Sequence, residues 1–174
     1  ISVSVVIARA AMAEGLFVKQ SEVHGMAQRG GEVLAHLRIS DKPIASPLIP
    51  LGSGDLLLSF EPLETLRYIG WLSPEASIVA ASAPVKNIAN YPETESVIAA
   101  IKSLRGSRVV DADAIAKEAG NARAANVVLV GVASSLFPFK PDRLEEAIRE
   151  TFARKGDAVV QANLEAFRHG QSAN

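Results

Sequence analysis

The 174-residue chain is 48% hydrophobic, carries a formal net charge of −1 and contains no cysteine. That length and apolar content suffice for one well-buried domain, residues 1–174, and are short for two. Near-neutral charge removes the electrostatic basis for gripping a phosphate backbone, and a chain without thiolates supplies no iron–sulfur cluster, thiolate zinc site or disulfide of its own.

A pI of about 6.4 and a mean hydropathy of +0.18 fit a soluble protein, and nothing at Ile1 reads as a secretory signal. The longest apolar run, Val127–Ala133, is far below the roughly 20 residues of a membrane span. The expectation is a cytoplasmic protein with no membrane and no nucleic-acid partner. His24, His36 and His169 lie scattered without ligand spacing, so no metal site is expected. Neither a Gly-x-Ser-x-Gly elbow nor a phosphate loop ending in Lys-Ser or Lys-Thr occurs.

Ile1–Ala13 alternates at first like a strand, but Ala8–Glu14 is rich in helix formers and Gly15 is a good stop, which predicts a helix. No capping residue or strand precedes it, which is odd in a chain that otherwise alternates strand and helix. A true start upstream of Ile1 is the expectation. Leu16–Gln20 predicts a short buried strand. Glu32–Ser40 sets Val33, Ala35, Leu37 and Ile39 against Leu34, His36 and Arg38, a period-two strand with His36 and Arg38 expected to face outward.

Between those strands lies Ser21-Glu22-Val23-His24-Gly25-Met26-Ala27-Gln28-Arg29-Gly30-Gly31. It reads as a loop that packs a carboxylate, an imidazole, an amide, a guanidinium and glycines together. Arg29 beside Gly30 and Gly31 suits recognition of a carboxylate or phosphate, because close backbone approach can hold its planar fork of donors rigidly. A lone polar turn is usually just solvated, and His24 alone is more often a structural hydrogen-bonder than a proton carrier. The density of different donors favours a contact surface made of Ser21, Glu22, His24, Gln28, Arg29, Gly30 and Gly31.

Asp41–Gly54 contains Pro43, Pro47 and Pro50 with Gly52 and Gly54, which forbids helix and predicts a long connection. Gly52-Ser53-Gly54 is a turn rather than a phosphate cradle, since a strand, Asp55–Phe60, follows it instead of a helix N-terminus. Pro62 then starts a helix with Glu61 and Glu64 in its first turn and Arg67 later, all readable as capping. Ser77–Ala83 predicts a strand and Pro84–Pro92 an irregular stretch containing Tyr91. Glu93–Arg105 gathers Val97, Ile98, Ile101 and Leu104 on one helical face and stops at Gly106.

Arg108–Val110 predicts a short strand leading into a helix at Ala112–Glu118. Asp111 and Asp113 there could bind a metal or a ribose, but a cap is the plainer reading. Ala122–Leu136 is apolar around most of its circumference and small at Ala124, Ala125, Gly131 and Ala133, which predicts a helix buried close against the sheet, ended by Pro138 and Pro141. Helices at Asp142–Arg154 and Asp157–His169 follow, and Gly170–Asn174 is expected to fray. The alternation predicts an α/β domain, a three-layer Rossmann-like sandwich with a mainly parallel sheet. It lacks the Gly-x-Gly-x-x-Gly fingerprint of a dinucleotide site.

The run SEVHGMAQRGGEV resembles the signature of the gamma-subunit or gamma-domain family of 2-oxoacid:ferredoxin oxidoreductases, and within it the small (beta) subunit of the indolepyruvate branch. Weaker matches lie at Gly54–Arg67, Val110-Asp111-Ala112, Gly120-Asn121 with Asn126, and Asn163–Phe167. The resemblance implies a subunit without redox centres, supporting thiamine diphosphate-dependent oxidative decarboxylation of arylpyruvates to acyl-CoA with ferredoxin as acceptor. It also implies a Gly-Gly-Gln-Gly loop ahead of the first helix. Thiamine diphosphate and iron–sulfur clusters are expected in a large partner subunit, with coenzyme A as co-substrate, and this chain alone binds no cofactor and is inactive. The gamma subunit of a pyruvate, branched-chain 2-oxoacid or 2-oxoglutarate enzyme is the alternative within the family. A stand-alone binding domain for an anionic small molecule is the alternative outside it.

Overall fold

The strand Leu72–Ala81 (β4) sets the layering, because its alternate residues feed two different cores. Ile78 and Ala80 face one core and Val79 and Ala81 the other, as a period-two strand buried on both faces requires. The chain is seen in a computed structural model that describes residues 3–25 and 31–173. β4 lies between Gly54–Ser59 (β3) and Ser107–Val110 (β5), parallel to both, in the order β3-β4-β5. Helices Pro62–Tyr68 (α2) and Thr94–Lys102 (α3) cover one face, with Leu63, Leu66, Val97 and Ile101 closing that core. Helices Val3–Ala13 (α1), Ala112–Glu118 (α4), Ala125–Val132 (α5), Pro141–Phe152 (α6) and Asp157–Ser172 (α7) build the larger core on the other.

The expected α/β sandwich is present, with helices on both faces of the parallel sheet. Among the described residues, the other two strands, Phe17–His24 (β1) and Val33–Ser40 (β2), form a separate antiparallel hairpin. Leu37 and Ile39 of β2 pack on the helical core that also receives Leu56 and Leu58 of β3.

Several expectations need correction. β1 runs to His24 rather than ending at Gln20, so Ser21, Glu22 and His24 stand on a strand rather than in a loop. It is mostly exposed rather than buried, because a strand at the outer edge of a two-stranded ribbon gains cover on one side only. His36 faces inward and is 5% exposed. The Ile49 amide donates to its Nδ1 at 3.0 Å, and its ring meets the Trp71 ring edge-on at 4.9 Å. Arg38 donates to the Ser46 and Leu48 carbonyls, at 3.0 and 3.3 Å. Both side chains thus pin the proline-rich connection, a tertiary use that strand periodicity does not encode.

β4 begins at Leu72 and ends at Ala81, displaced from the expected Ser77–Ala83. α5 is shorter than expected, starting at Ala125 and giving way to a 3-10 turn over Ser134–Leu136. Its close neighbour is mainly α7 rather than the sheet. Gly131 lies where a Cβ would strike the Phe167 carbonyl oxygen, and Gly170 where a Cβ would strike that of Val128. Gly170 is buried and α7 continues to Ser172, so the expected fraying of this segment does not occur there. The tail is held because glycine allows backbone-to-backbone approach.

Side-chain capping fixes two helix starts. The Asp111 carboxylate accepts from the Ala114 amide at 3.0 Å, and the Glu61 carboxylate from the Glu64 amide at 2.8 Å.

Gly170→Ala is expected to cost about 3 kcal/mol or more, since the added methyl meets rigid backbone. Gly70→Ala, with nothing within 4 Å and no positive φ, should cost under about 1 kcal/mol. Denaturant midpoints of the two variants check this, and equal shifts would contradict the packing described.

Candidate functional site

A cleft of about 1120 Å³ lies between the β1–β2 hairpin and the parallel sheet. The first turn of α1, the start of α2 and the segment after β4 contribute to its walls. Residues just past the carboxyl end of β3 open onto it, the position where α/β sheets present their ligand sites.

The sequence-predicted contact residues are only partly brought together. Glu22 and Gly31 line the cleft. Glu22 accepts from the Gln20 amide at 3.2 Å, and one of its oxygens lies 2.8 Å from His24 Nε2. His24 is mostly exposed, and Ser21 sits half-buried opposite His36 in the hairpin register. The Gly25 amide donates to the Glu32 carbonyl at 2.8 Å, closing the neck of the hairpin. Gln28, Arg29 and Gly30 lie outside the described residues.

The most connected polar group at the cleft is one that sequence reasoning treated only as a helix cap. Glu61 holds six donors: its carbonyl accepts from Ser59 Oγ at 2.9 Å and from the Thr65 amide and hydroxyl, and its carboxylate accepts from the Glu64 amide, from the Val85 amide at 3.3 Å, and from the Tyr91 hydroxyl. Burial, followed by that hydrogen bond and the charge of Glu61, pushes the Tyr91 phenol up to about 12. Burial also raises Glu64 above the usual carboxylate range; Arg67 at 3.1 Å opposes the shift, and the charges of Glu32 and Glu61 add to it. Glu64 Oε2 and the Tyr68 hydroxyl are buried with no hydrogen-bond partner among the described residues. Nothing in spacing could have joined Tyr91 to Glu61, since 30 residues separate them.

The charge balance of the cleft constrains what it takes. Among its described lining residues, Glu22, Glu32, Asp55, Glu61 and Glu64 face Arg38 and Arg67, and both arginines are engaged by their own neighbours. Such walls suit a cationic or apolar surface better than a phosphate. Among the described residues no cluster of three or more His, Cys, Asp or Glu could hold a metal ion. Asp111 serves as a cap.

With two tyrosines in the chain, spectrophotometric titration can isolate Tyr91. Its transition is expected near pH 12 and should vanish in Tyr91→Phe. Because the folded value lies above the ordinary 10.0, the associated stability is complete below about pH 10 and lost as pH rises toward 12. A wild-type transition wholly centred near 10 would remove this account of the Glu61 site.

The pyruvate ferredoxin/flavodoxin oxidoreductase family matches the chain over residues 1–173. The indolepyruvate oxidoreductase subunit IorB of Archaeoglobus fulgidus is 38% identical over 98% of this chain and 87% of its own length. The protein of the same name from Methanothermobacter thermautotrophicus is 34% identical over 98% and 89%. A 2-oxoglutarate:ferredoxin oxidoreductase from Magnetococcus marinus, solved with 2-oxoglutarate, coenzyme A and succinyl-CoA bound, shares the fold with a TM-score of 0.72 at 22% identity. There the match covers 98% of this chain and 28% of the other. No helix among the described residues is long and apolar enough to cross a membrane.

Proposed function

The chain belongs to the pyruvate ferredoxin/flavodoxin oxidoreductase family, and from that premise we propose that it is the small subunit of an indolepyruvate:ferredoxin oxidoreductase. The enzyme decarboxylates arylpyruvates oxidatively, passes electrons to ferredoxin and delivers the acyl group to coenzyme A. The observation that carries this reading is 38% identity extending over 98% of the chain and 87% of an indolepyruvate oxidoreductase subunit. Identity on that scale involves the whole domain rather than one motif.

Neither the composition of this sequence nor the described residues fit the redox centres. Iron–sulfur clusters need thiolates, and the sequence has none. Thiamine diphosphate is held through a divalent ion on carboxylate or carbonyl oxygens, and the described residues offer no such cluster. Both groups belong on a larger partner subunit in this reading. The chain's own task is to complete the complex, and its acidic cleft makes it a poor phosphate receptor. That weighs against the alternative of a stand-alone domain for an anionic ligand.

The hairpin is the proposed docking arm. Glu22 is held between Gln20 and His24, and Gly25 closes the neck; Gln28, Arg29 and Gly30 fall in sequence between the two strands. Val23 and Val33 near that base are 60% and 54% exposed, apolar area that a partner would cover. Arg29 pairs with a partner carboxylate in this scheme, and Ser21, Glu22, His24 and Gly31 orient the arm.

Arg29→Ala is expected to weaken association with the large subunit by about 2 to 5 kcal/mol, the cost of leaving one buried charge unpaired, and to leave the melting temperature of the isolated chain unchanged. Titration calorimetry of the two subunits, with turnover on indolepyruvate, checks it. Wild-type affinity and rate would remove the docking arm. Turnover by this polypeptide alone, free of iron and thiamine, would remove the subunit reading.

A further inference from the structure

A smaller cavity, of about 550 Å³, opens within the helix layer among the α4–α5 turn, α5, α6 and α7. Its wall differs in charge from that of the larger cleft. Among its described lining residues there is no aspartate or glutamate, whereas Arg123 and Lys155 both line it, with Asn121 as a further source of N–H groups. In a sequence of 19 acidic and 18 basic residues, a concave surface that gathers cations alone is a local separation of charge. Such a surface concentrates its field, drawing anions in and keeping cations out.

Among the described residues neither cation has an ion-pair partner. Lys155 instead sits over the Phe152 ring, its Nζ 5.6 Å from the ring centre, and Phe152 belongs to the same wall. Arg123 is presented by a turn of defined shape. Gly120, with φ of +77°, ends α4 in the left-handed region, and the Asn121 side-chain oxygen accepts from the Arg123 amide at 3.2 Å. With that oxygen engaged, the Asn121 carboxamide has its NH₂ group to offer a ligand. Gly120, Asn121, Asn126 and Asn163, all in the weaker family matches of the sequence, line this cavity together. Asn163 is 4% exposed and donates to the Val159 carbonyl at 2.8 Å, which braces the α7 side.

The rest of the wall is largely apolar, with Val127, Val130, Ile148 and Val159 joining Phe152. An inorganic ion would satisfy the cations and leave those side chains facing water. The volume falls within the roughly 300 to 1000 Å³ of small-molecule sites, so it admits a ligand with a body of its own. A guanidinium fork matches the paired oxygens of a carboxylate.

We propose that this cavity binds an organic acid, its carboxylate held by Arg123 and Lys155 and its aryl or branched alkyl body lying against Phe152 and the valines. This holds for the chain as a subunit, whatever 2-oxoacid the complex turns over.

Titration calorimetry of the full-length protein with phenylacetate tests the site. Binding at one site per chain is expected. Acetate, which lacks the body, and benzyl alcohol, which lacks the charge, should each bind at least roughly tenfold more weakly. Arg123→Ala combined with Lys155→Ala should weaken phenylacetate binding by roughly tenfold or more. Both side chains are exposed, so the melting temperature without ligand should stay that of the wild type. Ala158→Trp, at an exposed position on the wall, should block binding by filling the space. No binding by the wild type, wild-type affinity in either variant, or equal affinity for benzyl alcohol would each overturn the proposal. So would displacement of phenylacetate by an equal concentration of inorganic phosphate, which would make the cavity a site for an anionic head group alone.

Discussion

One carboxylate, that of Glu61, joins three segments that the chain leaves far apart. It caps α2 through the Glu64 amide, holds the segment after β4 through the Val85 amide, and receives the Tyr91 hydroxyl. Its own carbonyl accepts from Ser59 at the end of β3 and from the buried Thr65 hydroxyl. These bonds make the carboxyl rim of the sheet a fixed shape rather than a set of independent loops. Losing the carboxylate would leave several donors unsatisfied at once, and an unmade buried hydrogen bond costs more than a made one contributes. The cleft, the placement of Glu64 and the elevated Tyr91 phenol all depend on it.

Beneath that rim, rigidity comes from backbone proximity. α5 is apolar on nearly all sides and almost wholly buried. It lies so close to α7 that Gly131 and Gly170 have no room for a side chain. Across α6 and α7 the Arg168 guanidinium donates to both oxygens of Glu145, at 2.9 and 2.8 Å, and holds that carboxyl below its usual range. The helix layer thereby supplies a stiff floor on which both the parallel sheet and the hairpin rest.

Above that floor the cleft presents acidic walls, with Glu22, Glu32, Asp55, Glu61 and Glu64 among its described lining residues. The described residues provide no metal cluster, and the sequence provides no thiolate. What the described residues do offer is an antiparallel hairpin with an exposed apolar pair, Val23 and Val33, near its neck. Such apolar area gains stability when covered.

Local pattern carried much of the secondary structure. Period-two alternation located β2, the apolar run after Gly54 located β3, the Pro62 start located α2, and the stripe of Val97 and Ile101 located α3. Asp111 could be read as a cap because capping is decided within one turn of chain. The SEVHGMAQRGGEV run carried the family, which the comparisons bear out. Long-range contacts were illegible. Neither the inward turn of His36 onto Trp71 and Ile49, nor the seating of Gly170 on Val128, nor the meeting of Glu61 with Tyr91 follows from neighbours in sequence. The sequence by itself determined most of the elements, their order and the absence of thiolates, because these depend on composition and on contacts a few residues long. Tertiary structure alone decided that Ser21, Glu22 and His24 stand on a strand and that Glu61 organises the rim. Pairing between distant segments is fixed by which surfaces close over the core, and no local pattern records that.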